Sequence, residues 1–304
     1  MGVGVEALGM SIGKMSRLGK LLGVICWVWG SALPVWAQDP FRSGDNARPI
    51  RPEVAAAFEE FFCAGRYSQS REKLEMAKKA SPEEPMVYAL LAALAYQEGD
   101  LEAFARLATQ TRQVAAELKK TDPLRGNLYE GVGYGLEAAN IVVRDGVVIG
   151  LPKALPTLNQ LFASIRAAQA VDSSDPELNL LNGYMDLLLT YREKALNQFR
   201  MAAPDYLSYR GQALAYRDMQ RFDEALETVD RAIAASCNNP ELYYLKAQIL
   251  VSKGQDREAV PLFDQALQAS AQLPQPLVEQ IQMERDRAAQ RSGLTGQLPA
   301  APNP

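Results

Sequence analysis

The sequence predicts an all-α solenoid of antiparallel helix pairs, on three observations. Small residues recur 34 positions apart near the C-terminus: Ala213 with Ala247, Ala225 with Ala259, and Ala232 with Ala266. The same interval separates Gly65 from Gly99, each of which follows an apolar pattern of helical spacing. Hydrophobic residues make up 48% of the chain, in Ala-rich and Val-poor segments of the kind that build helical cores. A helix-turn-helix unit of this length cannot bury its apolar face alone, so a sustained repeat implies that neighbours stack.

The first 37 residues read as a secretory signal. Lys14, Arg17 and Lys20 form a basic n-region, residues 21–33 an apolar h-region, and Val35-Trp36-Ala37 a small-residue cleavage site, so the mature chain is expected to begin at Gln38. A retained anchor is the alternative, but the apolar run is short for a span, and no stable membrane insertion is expected after cleavage. Cys26 lies in a poor lipoprotein box and is not expected to carry lipid. Residues 38–50 are polar and proline-bearing and read as a linker.

The helical array is expected over residues 51–291. In the first repeat Phe58, Phe61, Phe62, Leu74 and Ala77 carry the stripe, with Gly65-Arg66-Tyr67 as the turn. The second begins at Pro85 and turns at Gly99-Asp100-Leu101, with Tyr88, Leu91, Leu94, Phe104 and Leu107 as its apolar face. The phase then breaks. Residues 124–140 read as a helix containing Gly131, Gly133 and Gly135. Glycine costs about 1 kcal/mol relative to alanine in a helix, so close packing against a neighbour is the expected reason. Over residues 141–150 an Asp145-Gly146 pair stands between two β-branched runs, which predicts a short inserted β-hairpin, or else a loop. Residues 155–171 return to helical spacing.

Asp175 and Pro176 then restart the array as an N-cap and a first-turn proline, with Gly183, Ala195, Phe199 and Ala202 in register with the later repeats. Asn239-Pro240 opens the last full repeat in the same way, and Gly254 suits a left-handed C-cap. Residues 276–291 read as a capping helix. Leu277, Ile281 and Glu284 share one face, and Glu279, Arg285, Asp286 and Arg287 are expected in water. Residues 292–304 are Gly/Pro-rich and expected to be a disordered tail.

The period, and the small residues at positions 8, 20 and 27 of each unit, resemble the tetratricopeptide repeat (TPR) superfamily. The likeness has departures. Tyr209 and Tyr243 stand where the family often has Trp, and Cys237 and Ala271 where it usually has Pro. With the signal, the interrupted repeat and the stretch 172–186 in view, the mature chain also resembles a family of exported cyanobacterial TPR proteins. That resemblance implies export to the periplasm or thylakoid lumen and carries no activity or site residue.

Composition narrows the function. The chain has no histidine, which removes the commonest general base and metal ligand. Its formal net charge is −4, and loss of Lys14, Arg17 and Lys20 with the signal makes the remainder more acidic, which argues against nucleic acid or an anionic membrane as partner. Gly131-x-Gly133-x-Gly135 lacks the strand that precedes a phosphate-binding loop, and no nucleophile elbow appears. Neither catalytic, cofactor-binding nor metal-ligating residues are therefore assigned. Glu59-Glu60 and Glu83-Glu84 read as solvated helix-face pairs, because adjacent helical residues do not face each other. Export would permit a disulfide between Cys63 and Cys237, but they lie about four repeats apart, and in a solenoid each repeat touches only its neighbours. Spacing thus argues against a bridge unless the superhelix closes on itself.

The resemblance implies a concave groove lined by the first helix of each repeat. Its register points to Phe62, Tyr96, Tyr184, Arg210, Leu214, Arg217, Tyr244 and Gln248 as candidates for binding a peptide or protein partner. Tyr and Arg are enriched at binding hot spots, although tyrosines also pack between repeats. Arg210 and Arg217 are two helical turns apart and are expected on one face, poised for a carboxylate, unless local acids such as Asp218 or Asp205 claim them. Glu59 stands where the chaperone-binding subclass has a carboxylate-clamping residue, so that role is not expected. The leading expectation is a non-enzymatic exported scaffold. Its rival is a carboxylate-dependent enzyme acting on cell-wall glycan, built from acids beside the inserted segment.

Overall fold

The computed structural model describes residues 39–294, and among these it contains twelve α-helices and no β-strand. The signal and the tail beyond Leu294 lie outside the described residues. The first hairpin pairs α1 (Pro52–Phe58), extended by a π-helical turn over Glu59–Cys63, with α2 (Tyr67–Ala80). The second pairs α3 (Pro85–Gln97) with α4 (Leu101–Leu118). A third is formed within α5 (Pro123–Val171). Then follow α6 (Pro176–Leu188) with α7 (Arg192–Arg200), α8 (Asp205–Asp218) with α9 (Phe222–Ala235), and α10 (Pro240–Ser252) with α11 (Asp256–Leu267). Helix α12 (Gln275–Arg291) packs on α11 and caps the array.

Local chemistry explains where these helices start and stop. Proline fills the first turn of α1, α3, α5, α6 and α10, where its missing N–H has no partner to lose. Asp175 and Asn239 accept hydrogen bonds from the Leu178 and Glu241 amides at 3.0 and 2.9 Å, as their N-cap positions require. Ala213, Ala225, Ala232, Ala247, Ala259 and Ala266 are all fully buried. Enlarging Ala259 to leucine is accordingly expected to cost about 1–3 kcal/mol by overpacking, measured by denaturant unfolding. Replacing residues 142–149 with a short Gly/Ser link is expected to cost much less, since Val147 and Val148 are 67% and 88% exposed.

Three expectations are corrected. The segment 141–150 is neither hairpin strands nor loop. It is helical on both sides of Gly146, whose φ of +75° breaks the helix and turns the chain back. The two arms, residues 123–145 and 147–171, then lie against each other, with Gly150 over Val142 and Gly131 against Ile165. Asp145-Gly146 is thus a tight turn between helices. Gly133 faces the α4 backbone so closely that a Cβ would fall 2.8 Å from the Arg112 Cα. The stretch read as a linker is packed into the protein, for Asp39, Phe41, Arg42 and Ile50 are all buried. Arg285, expected in water, is buried on α12 and pairs with Asp264 at 2.9 Å.

The array also closes on itself. Cys63, at the end of the first arm of the first hairpin, and Cys237, in the turn between α9 and α10, form a disulfide with Cα atoms 5.0 Å apart across 174 residues of sequence. The condition under which spacing allows this bridge is therefore met. Gly65, at φ +64°, lets the first hairpin approach so near that a Cβ there would strike Asn239 Oδ1 at 2.6 Å.

Candidate functional site in the closed superhelix

The strap over residues 39–51 enters the array at the N-terminal ends of α3, α5 and α6. Phe41 meets Phe58 edge-on with ring centroids 5.1 Å apart. Arg42 donates to both oxygens of Asp175 at 2.6 and 2.8 Å, to Glu177 at 2.9 Å and to Asp39 at 3.1 Å. Glu177 also accepts from Arg125 Nε at 3.2 Å and from the Tyr129 hydroxyl at 2.6 Å. Arg125 then grips Glu84 bidentately at 2.8 and 3.0 Å. Acidic residues at helix N-termini are favoured by the exposed amides and the dipole there. Two arginines tie three such ends together, in the planar two-pronged geometry that guanidinium supplies.

Electrostatics in this cluster follow from burial and pairing. Burial alone would push the Glu177 carboxyl up, but Arg125, Arg42 and the Tyr129 hydroxyl hold it below its ordinary value. Arg42 and Arg125 are conversely held above theirs: burial opposes their charge, and the surrounding carboxylates outweigh it. Burial, then the neighbouring Glu177 charge, raises the Tyr129 phenol. Glu84, read as half of a solvated pair, is in fact part of this buried cluster.

Inside the closed superhelix lie two adjoining cavities. One, of about 260 Å³, is walled by Phe41, Phe58, Phe62, Met86, Leu128, Leu180 and Tyr184, with Glu177 and Tyr129 at its edge. The other, of about 280 Å³, is walled by Phe61, Phe62, Tyr67, Gln97, Arg210, Asn239 and Glu241. Phe62, Leu90 and Leu207 line both. Arg210 donates to the Tyr184 hydroxyl at 2.9 Å and stands 3.7 Å from Glu241. Gln97 Oε1 is buried and accepts no hydrogen bond within the protein.

Of the candidates, the structure brings Phe62, Tyr184 and Arg210 together on these walls. The others lie apart from them. Tyr244 and Gln248 donate to Glu284 of the capping helix at 2.8 and 3.0 Å. Leu214 packs in a smaller core around α8 and α9. Arg217 pairs with Asp218 at 2.8 Å, the local acid that could claim it. Tyr96 is 51% exposed, its ring 5.4 Å from Phe104. The acids beside the inserted segment are each engaged by a base: Glu130 by Lys119, Glu137 by Arg112, and Asp145 by Arg144 and Lys153. Among the described residues, no group of three or more Cys, Asp or Glu is placed to hold a metal ion.

Sequence reasoning missed the Arg42–Asp175–Glu177–Arg125–Glu84 cluster. A signal for it existed in three acid–proline pairs at helix starts, Glu84-Pro85, Asp122-Pro123 and Asp175-Pro176. Nothing local to Phe41-Arg42 says which of those ends it would reach.

Residues 210–274, from within α8 to the residue before α12, match the family model described as a tetratricopeptide repeat. No curated protein matches the sequence. Solved structures resemble it at low identity. The Cut9–Hcn1 hetero-tetramer of the APC/C is 12% identical, with a TM-score of 0.40 over 77% of this chain and 48% of that one. The chain thus spans about half the length of that relative. The yeast Sti1 TPR2AB domain, solved with an Hsp90 peptide, is 16% identical, with a TM-score of 0.36 over 78% and 97% of the two chains. A tetratricopeptide repeat protein from Parabacteroides merdae is 14% identical, with a TM-score of 0.39 over 80% and 90%. The helical pairs, the matched repeats and the buried alanines together define a TPR-like α-solenoid.

Proposed function

We propose that the protein is an exported, non-enzymatic TPR scaffold that binds an extended peptide segment of a partner protein on its inner wall, in the assembly of envelope or thylakoid-lumen complexes. The observation that carries the reading is the convergence of Phe62, Tyr184 and Arg210 on two adjoining cavities, one lined mainly by apolar side chains and the other mixed, with Gln97, Asn239 and Glu241 beside Arg210. An aromatic surface beside a guanidinium with hydrogen-bonding capacity to spare suits a segment carrying both an apolar side chain and a carboxylate. The disulfide supports the exported part of the reading, since such bonds persist in oxidising compartments.

Affinity capture from the native envelope fraction tests the binding role. Arg210→Ala is expected to abolish capture of the partner that the wild type retrieves. Arg217→Ala, whose side chain is spent on Asp218, is expected to retain it. Both variants should keep the wild-type helix content, and unchanged capture by Arg210→Ala would move the binding surface elsewhere. Export is tested separately, by N-terminal sequencing of the secreted chain. The expected first residue is Gln38, and a membrane-held chain that still contains Trp27 and Trp29 refutes it.

A further inference from the structure

The contacts that close the superhelix and the walls of the second cavity are largely the same residues. Beside the Cys63–Cys237 disulfide, the Cys237 amide donates to the Cys63 carbonyl at 3.0 Å and Asn239 Nδ2 to the Phe62 carbonyl at 2.9 Å. The Tyr67 hydroxyl donates to Glu241. Phe62, Tyr67, Asn239 and Glu241 all line the cavity that holds Arg210. While the array is closed, the first hairpin therefore forms one side of the cavities and narrows the way by which an extended segment would reach Arg210.

We infer that the Cys63–Cys237 disulfide is a redox gate on this groove, closed when oxidised and opened by a dithiol reductant. The inference rests on the reading of the inner wall as the binding surface and concerns its regulation. Each hydrogen bond across the closure exchanges with one to water and contributes little net. The Arg42 cluster holds the strap to α6, and the hairpins otherwise pack largely on their sequence neighbours, so this seam is the direct tie between the first hairpin and the turn before α10. The disulfide is the one covalent tie across it among the described residues.

The two residues differ in exposure: Cys63 is 6% exposed, and Cys237 lies in an exposed turn, which makes its side the one a reductant approaches. A thiolate of the reductant attacks Cys237 Sγ, the sulfur–sulfur bond breaks, and Cys63 leaves as a thiolate that takes up a proton. The second thiol of the reductant then attacks the mixed disulfide and releases Cys237 as a thiol. In sum, the protein disulfide gains two electrons and two protons, and the dithiol becomes a disulfide.

Small-angle scattering, circular dichroism and an environment-sensitive apolar dye test the gate on the mature chain. Oxidised protein is compared with dithiothreitol-reduced protein and with the Cys63→Ser/Cys237→Ser variant. Reduced and variant forms are expected to show a larger radius of gyration and a several-fold rise in dye fluorescence at unchanged helix content. An unchanged radius and dye signal overturn the inference. So does loss of helix content in both forms, because the bridge is then a staple of the fold. None of these readouts uses the partner, so a chain that opens on reduction yet captures nothing refutes the binding role and leaves the gate standing.

Discussion

Replacing Arg42 with alanine is expected to lower stability by about 3–5 kcal/mol, read from denaturant unfolding of the mature chain. Arg42 is buried among Asp39, Asp175 and Glu177, and its removal leaves only Arg125 to balance the carboxylates there. An unpaired buried charge is costly because water cannot solvate it. Arg42→Lys should recover only part of the loss, since one ammonium group cannot hold Asp175 with two parallel hydrogen bonds. The cluster also sets an acid limit. Glu177 titrates lower when folded than when unfolded, so its contribution is fully present above the unfolded value, near pH 4.5, and is lost as pH falls through the folded value. Stability is expected to decline below about pH 4.5, and Glu177→Gln should flatten that part of the profile. A wild-type profile flat down to pH 3, or an Arg42→Ala chain as stable as wild type, would show that the strap contributes nothing.

The second large effect is expected at Phe199. Its ring is fully buried between Gly183 of α6 and Gly211 of α8, where a Cβ would come within 2.5 and 2.3 Å of ring atoms. The two glycines thus leave room for one aromatic side chain at the junction of three helices. Phe199→Ala should cost about 3–5 kcal/mol, the transfer and cavity terms of a buried aromatic. Gly211→Ala should cost about 1–3 kcal/mol by displacing the ring. Because both changes act on one contact, Gly211→Ala with Phe199→Leu is expected to cost less than the two single changes added together. Tyr184 rests edge-on against Phe199 at 5.0 Å, and that contact orients the hydroxyl that receives Arg210. Phe199→Ala should therefore weaken partner capture even at temperatures where the chain stays folded. Additive costs in the double variant would contradict a shared contact.

The two predictions draw on different kinds of legibility. Phe199 and Gly183 were visible as in-phase positions of a repeat, because helix-on-helix packing needs small and large residues at fixed intervals. Arg42 was invisible, since a charged residue in an aperiodic stretch looks the same whether it meets water or a carboxylate 133 residues away. The groove was legible in the same uneven way. Register put Phe62, Tyr184 and Arg210 on inner helix faces, yet it could not foresee that Glu284 would occupy Tyr244 and Gln248, or that Asp218 would hold Arg217.

By itself the sequence determined the helix starts at Pro176 and Pro240, the left-handed turns at Gly65, Gly99 and Gly254, and the buried alanines at their 34-residue interval. These depend on backbone propensity and nearest-neighbour packing, which act over one or two turns of chain. It also determined that the chain turns at Asp145-Gly146, because only a residue tolerant of positive φ fits there. Tertiary structure decided what the turn joins. The β-branched runs on either side are helical because Gly131, Gly133 and Gly150 let the two arms of α5 and the neighbouring α4 pack at close range. It decided closure as well. Whether Cys63 meets Cys237 depends on the rotation accumulated from every hairpin between them, a sum that no single repeat encodes.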